Sequence, residues 1–426
     1  MPDTFVPVPF VKQETMFYCG PATLQMVLSS LGVAVPAAPP SWQTKLWADV
    51  QANTGAIRPS NAPSSPTSPP FPQQKCVSCQ NFGWKCWATT PGALKAVANL
   101  RQGVVHFEVT EHETEASATA VLMAGINENV PGVVLIRGWQ HWLAVEGYRH
   151  GEAGGSPVGG LSLNGVFVRD PLETPAVHYI KWRKWKNEYL KFVPCGEHAD
   201  SYVVIGGRRL QPSPPPPSPP PPPPPQGPSP APSQYAAHAV RGKVDEMPDP
   251  ALPLPLVKKI LPESAAIGIA REGAAEFRGA GRLRDGFDGA EATKALLVQR
   301  LDAHDQYYYI VTFTVGERET ARVILDAHDG ELSEVSAVPE KGQTLQRYMS
   351  AEEGRSLLLR GVERLSSELR FQLRTGTIGT HPVAVWKPCR ESMSPFLPFW
   401  QYSIGDSFIY FRFDGERFEE LTEGPA

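Results

Sequence analysis

Residues Val6 to Gly32 read VPVPFVKQETMFYCGPATLQMVLSSLG, and the second half of that stretch is helical in pattern. Leu24, Val27, Leu28 and Leu31 recur at i, i+3, i+4 and i+7, one apolar face of a helix expected over Gly20–Leu31. Gly32 follows as a stop signal. Cys19 stands directly before this helix, so its sulfur belongs at a helix N-terminus. Unpaired amide N–H groups and the macrodipole favour an anion at such a position and lower a thiol pKa. Pro21 suits the first turn, where a missing N–H costs nothing. Upstream, Gln13 carries a side-chain amide able to donate to an oxyanion forming beside the cysteine.

A thiolate nucleophile needs a base that later returns a proton to the leaving group. His141, in GWQHWLAVEGY, opens a run of apolar residues that reads as a strand over Trp142–Tyr148. Asp170, in GVFVRDP, ends another expected strand, Gly165–Arg169, and is placed to hold the imidazole in one tautomer. Val133–Arg137 (VVLIR) is a third strand signal. Helix first and sheet afterwards describe an α+β domain. His106, His112 and His178 are rival bases, but none begins a strand ahead of a matching Asp-Pro, so each reads as a surface or core histidine.

The pattern Q-x5-C-G-P-A before LQMVLSSLG, then HWLAVEGY, then V-x-D-P, resembles the papain-like cysteine peptidases, and within them the bacteriocin-processing branch that cleaves leader peptides after Gly-Gly. The resemblance covers roughly residues 5–205. It implies a papain-like fold with Cys19 as nucleophile, His141 as general base, Asp170 as orienting acid and Gln13 as oxyanion donor. It also implies a peptide or protein substrate and no cofactor. The chain departs from that branch in lacking the membrane spans and ATPase of the full processing transporters. It also carries an insert, Arg58–Trp87, rich in Pro, Cys and Trp. Peptidase-like chemistry follows from the likeness; cleavage after Gly-Gly does not. The same triad also suits an acyltransferase or a non-peptide amidase, and an inactive peptide-binding relic stays open.

Outward from this domain, 45 of the 426 residues are proline, about twice the usual share of roughly 5%. Many of them fall in Gln211–Ser233, QPSPPPPSPPPPPPPQGPSPAPS. Proline fixes φ and removes a donor, so this tract reads as a polyproline II spacer, on the order of 70 Å if fully stretched. The expected domains are therefore residues 1–210, a linker at 211–234, and a smaller α+β region at 235–426. A second Pro/Ser-rich stretch, Arg58–Pro72, reads as a loop inside the first domain.

The last region shows Tyr307–Val315, Ala321–Leu325 and Leu332–Val338 as a meander, with Asp329-Gly330 at a hairpin. A similar run follows: Phe399–Ile404, Ser407–Phe413, Asp414-Gly415, Glu416–Leu421. Between them a helix over Ser350–Leu369 opens with the capping box Ser350/Glu353. YYYIVTFTV…ARVILDAHDGEL resembles PepSY-type modules, which implies a regulatory attachment to a peptidase. Asp326, His328 and Asp329 sit at the hairpin and read as a turn rather than metal ligands.

Cys76, Cys79 and Cys86 (C-x2-C-x6-C), with Cys195 and His198 (C-x2-H), have spacings that suit zinc. Buried thiols are the plainer reading, and no metal is assigned. Lys181–Phe192 (KWRKWKNEYLKF) places Trp182, Trp185 and Tyr189 on one helical face, expected to dock on the core rather than on a membrane or nucleic acid. Lys plus Arg total 40 against 44 Asp plus Glu, a formal charge of -4, which argues against a polyanion-binding protein. No run approaches the ~20 apolar residues of a membrane span. The opening MPDTFVPVPF lacks a signal peptide's basic and apolar regions. A cytoplasmic location is expected, with leaderless export left open.

Overall fold

The computed structural model describes residues 3–422, apart from 16–17, 37–39, 54–88, 139–140, 152–155, 159–160, 173–175, 194–197, 211–258, 280, 362–365, 368, 371–381, 390 and 406. The Pro/Ser-rich stretch at 58–72 and the proline tract lie outside the described residues.

Helix α1 spans Cys19–Ser30, one residue earlier at each end than the periodicity predicts. It is buried not on one face but through every residue from Cys19 to Leu28. Its apolar stripe is therefore only part of a helix enclosed on several sides. Gly32, at φ +82°, ends it in the left-handed conformation that glycine adopts without steric cost. Helices α2 (Trp42–Asn53) and α3 (Pro91–Arg101) pack beside it. Thr90 caps α3 by accepting from the Ala93 amide at 3.2 Å.

Strands β1 (Asp3–Phe5), β2 (Val105–His112), β3 (Gly132–Ile136), β4 (His141–His150), β5 (Ser156–Val158), β6 (Leu161–Arg169), β7 (Val177–Lys181) and β8 (Tyr202–Arg209) build the first half of a sheet. Helix α4 (Glu115–Asn127) covers the face opposite α1. Val133 and Leu135 enter the core under α1, α2 and α3, while Val134 and Ile136 enter the one under α4. A sheet covered on both faces needs apolar residues at every position, which is why VVLI reads as a continuous run rather than an alternation.

The sequence Lys181–Phe192 is only in part a helix. Lys181 ends β7, a short turn α5 covers Trp182–Lys184, and Trp185–Tyr189 is wound as one π-helical turn. The expected aromatics, Trp182, Trp185 and Tyr189, are buried in the α4-side core.

Beyond the proline tract, α6 (Glu263–Arg278) and α7 (Arg284–Phe287) precede the antiparallel strands β9 (Glu291–Arg300), β10 (Tyr307–Val315), β11 (Arg318–Asp326) and β12 (Leu332–Ala337). Ala266, Ala270 and Ala274 let α6 sit close on this sheet, with Phe277 filling the end of the contact. Helix α8 (Ala351–Arg360) then precedes β13 (Val383–Trp386), β14 (Phe399–Ile404), β15 (Ser407–Arg412) and β16 (Arg417–Phe418). Both halves of the capping box form: the Glu353 amide donates to Ser350 Oγ at 3.1 Å, and the Ser350 amide donates to Glu353 Oε2 at 2.7 Å. The helix ends at Arg360 before Gly361, shorter than the expected Ser350–Leu369. Each meander thus carries a fourth strand and a preceding helix.

Asp326 Oδ1 accepts the amides of His328 and Asp329 and Gly330 takes φ +74°, so DAHDG is a tight turn.

One hydrogen-bonded sheet runs β16-β15-β14-β13-β9-β10-β11-β12-β7-β6-β4-β3-β8-β2, with β1 on β4 and β5 on β6. All its pairings are antiparallel except β13 on β9. β7 and β12 join the two halves, pairing Val177 with Ala337 and Ile180 with Glu334. Residues 1–210 and 259–426 accordingly form one compact unit. The sheet extends well past a papain-like domain, so the layout is a mixed α+β sheet that matches the expected fold class only loosely. No helix among the described residues is long and apolar enough to cross a membrane.

Candidate active site

Three elements converge on one point. α1 presents Cys19 at its first turn, β4 opens on His141, and Asp170 follows directly on the end of β6. Ile136 of β3 lies opposite His141 in the ladder, which anchors the histidine end of β4. The turn between these strands takes positive φ at Arg137 (55°) and Gly138 (65°). Such backbone is costly for arginine, and surrounding contacts hold it. The Arg137 amide donates to the Tyr189 carbonyl at 2.7 Å, and its guanidinium stacks between Tyr189 (4.7 Å) and Trp386 (5.2 Å).

His141 is fully buried, and its Nε2 lies 2.8 Å from Asp170 Oδ1. The Leu172 amide donates to the same oxygen at 2.8 Å. Burial alone would disfavour the imidazolium, but the Asp170 carboxylate and Cys19 overcome it and push His141 up to about 10. Burial likewise opposes the Asp170 carboxylate, and His141 with the Leu172 amide outweighs that, holding the acid below its ordinary range. With Nε2 committed to Asp170, Nδ1 is the ring atom left for the thiol; it makes no hydrogen bond of ordinary geometry among the described residues. Cys19 is a free thiol, 2% exposed.

Gly20 permits this packing. A Cβ there would lie 2.9 Å from the Thr89 Cβ and closer still to its hydroxyl, so any larger residue would push the start of α1 outward.

Gln13 is bound to the same corner through its backbone, whose amide donates to the Pro171 carbonyl at 2.8 Å. Its side-chain nitrogen donates to the Thr15 carbonyl at 2.9 Å, and Oε1 is buried without a hydrogen bond among the described residues. The Gln13 backbone is thus tied to the turn after Asp170, and its side-chain amide has one N–H already engaged.

The rival histidines have other surroundings. His106 is exposed beside Glu108, and His112 lies 2.9 Å from Thr110 Oγ1. His178 is buried on β7 and packs on Phe396 at 5.4 Å between centroids. Burial drives it down to about 4, so it is neutral at ordinary pH.

Cys76, Cys79, Cys86 and Cys195 lie outside the described residues. His198 Nδ1 sits 2.8 Å from Glu111 Oε1. Among the described residues, no cluster of three His, Cys, Asp or Glu has the arrangement of a metal site.

Sequence reasoning passed over the groups that brace the site. Glu146, inside the quoted HWLAVEGY, is fully buried and joins Arg169 (3.0 Å) to Arg282 (2.8 Å). Arg169 also donates to the Ala176 carbonyl at 3.0 Å, closing the loop that follows Asp170. A charged residue inside an apolar strand was the available signal, because a buried carboxylate demands cationic partners.

No protein-family model matches this chain, and no curated protein matches it. Among solved structures it is similar to a double glycine motif protease from an AMS/PCAT transporter, crystallised in complex with the leader peptide. The match has 11% identity, covers 49% of this chain and 100% of that chain, and has a TM-score of 0.25, below what identifies a shared fold.

Proposed function

We propose that the protein is a cysteine peptidase whose nucleophile is Cys19. The observation that carries the reading is the 2.8 Å His141–Asp170 pair beside a free thiol at a helix N-terminus. An imidazole held protonated beside the sulfur is the proton donor that the leaving amine needs.

The Cys19 sulfur attacks the amide carbonyl, forming a C–S bond as the carbonyl electrons move to oxygen. The Cys19 backbone N–H and the second N–H of the Gln13 amide stabilise that oxyanion. His141 gives its proton to the amine nitrogen, the C–N bond breaks and the amine leaves. Water then attacks the thioester with His141 taking its proton, the C–S bond breaks, and the acid is released. Asp170 keeps the ring in the orientation both transfers need.

A second reading, a peptide-binding relic, draws on Cys19 being 2% exposed and on the Gln13 amide already donating to Thr15. Incubating the full chain with a proteome-derived peptide library and reading cut sites by mass spectrometry separates the two. Cuts that vanish in Cys19→Ala support the peptidase. Retention of peptides without cleavage favours the relic, and undiminished cutting by Cys19→Ala removes the cysteine assignment.

A further inference from the structure

Cys19 and His141 belong to different elements, α1 and β4, so their separation depends on how the helix seats on the strand. Most of that seating is apolar: Cys19, Leu24 and Met26 share a core with Trp142 and Ala144. Apolar contact is non-directional and sets the spacing of two layers better than it sets the sliding of one along the other. A hydrogen bond is directional and does restrict sliding. Such a bond is present. Thr23 is fully buried, and its hydroxyl donates to the Trp142 carbonyl at 3.0 Å. Thr23 lies one helical turn after Cys19, on the same side of α1. Trp142 is the residue after His141. One bond thus ties the turn that carries the sulfur to the backbone that carries the imidazole.

We infer that Thr23 is a positioning residue for the Cys19–His141 pair, setting their register through the Trp142 carbonyl. This rests on the peptidase reading of the site. Nothing in the helical pattern requires threonine there. A β-branched polar residue inside an enclosed helix is a mild cost to helix formation. Its hydroxyl commonly turns back to its own helix. Here it reaches across to the neighbouring strand instead.

The test is peptide hydrolysis by the full chain over a range of pH, comparing wild type, Thr23→Val and Thr23→Ser. Valine keeps the shape and removes only the hydroxyl; serine keeps the donor and loses a methyl. Because small misplacements of reacting groups cost up to about a hundredfold, Thr23→Val is expected to lower kcat about tenfold or more with KM nearly unchanged. The active pH window should narrow on its alkaline side, as the loosened pair lets the imidazole fall toward its ordinary value. Asp170 and the neutral His178 remain in place in every variant. Thr23→Ser should restore both kcat and the window. Unchanged kcat and pH limits in Thr23→Val would overturn the inference. So would equal losses in both variants that track their loss of thermal stability. If instead wild type does not cleave, or Cys19→Ala cleaves as well as wild type, the peptidase reading itself fails.

Discussion

The Tyr189 hydroxyl donates to Glu334 Oε2 at 2.7 Å, and Lys184 reaches the other carboxylate oxygen at 2.5 Å. These groups come from opposite sides of the proline tract. Glu334 is 1% exposed and stands on β12 opposite Ile180 of β7, so the pair lies on the seam of the sheet. Replacing Glu334 by Ala removes the buried carboxylate that accepts from the Tyr189 hydroxyl and pairs with the Lys184 ammonium. The expected loss is about 3 kcal/mol of unfolding free energy. Urea unfolding checks it, and far-UV and near-UV signals should move together because both halves share one sheet.

That seam also predicts the outcome of truncation. Ending the chain at Leu210 removes β12 from β7 and α6 from Phe167, Val177 and Tyr179, which share its core. The open edge and uncovered aromatics should leave the fragment aggregated or without a cooperative melt. A soluble 1–210 fragment with a sharp thermal transition would show that the second half is dispensable for folding.

Two buried histidines set opposite pH limits on stability. His141 has a folded pKa of about 10 against an ordinary 6.5, so its contribution is complete below about 6.5 and is lost as pH rises toward 10. His178 is depressed to about 4, so the unfolded chain binds the extra proton between 6.5 and 4 and stability falls on acidification through that window. Maximum stability is expected near the shared upper bound of the acid window, about pH 6.5. In denaturant titrations across pH, His178→Gln should flatten the slope between pH 6.5 and about 4, and His141→Gln the slope between pH 6.5 and about 10.

Asp170→Asn keeps the size of the side chain but removes the charge that favours the imidazolium and fixes the ring. Its expected effect is a loss of about a hundredfold to ten-thousandfold in kcat with KM little changed. The alkaline limit of activity should also fall, since the carboxylate is the largest influence holding the His141 proton. A variant with wild-type kcat would remove Asp170 from the mechanism.

What could be read along the chain was whatever local chemistry fixes. The helix after Cys19, the strand after His141 and the capping box at Ser350 lie within a residue or two of their expected ends. The Asp-Gly turns are similarly local. β2, β9 and β13 were not among the expected strands: Val105–His112 carries an alternation that does argue for one, Glu291–Arg300 (EATKALLVQR) shows no regular alternation, and Val383–Trp386 is only four residues long. Which partners Glu146 and Thr23 meet is not written locally, since Arg282 and Trp142 approach them only in the folded chain.

The order of residues alone determined which groups were chemically eligible: a thiol before a helix, an imidazole opening a strand, a carboxylate ending one. It also set the expectation of a spacer at 211–233, because a run of prolines has no amide hydrogens to offer a ladder. Tertiary structure decided that the flanks of this tract share a sheet, and that Arg169 and Arg282 meet on one buried carboxylate. Backbone pairing between β7 and β12 and desolvation of Glu146 depend on groups distant in sequence, and their energies exist only once the chain has closed around them.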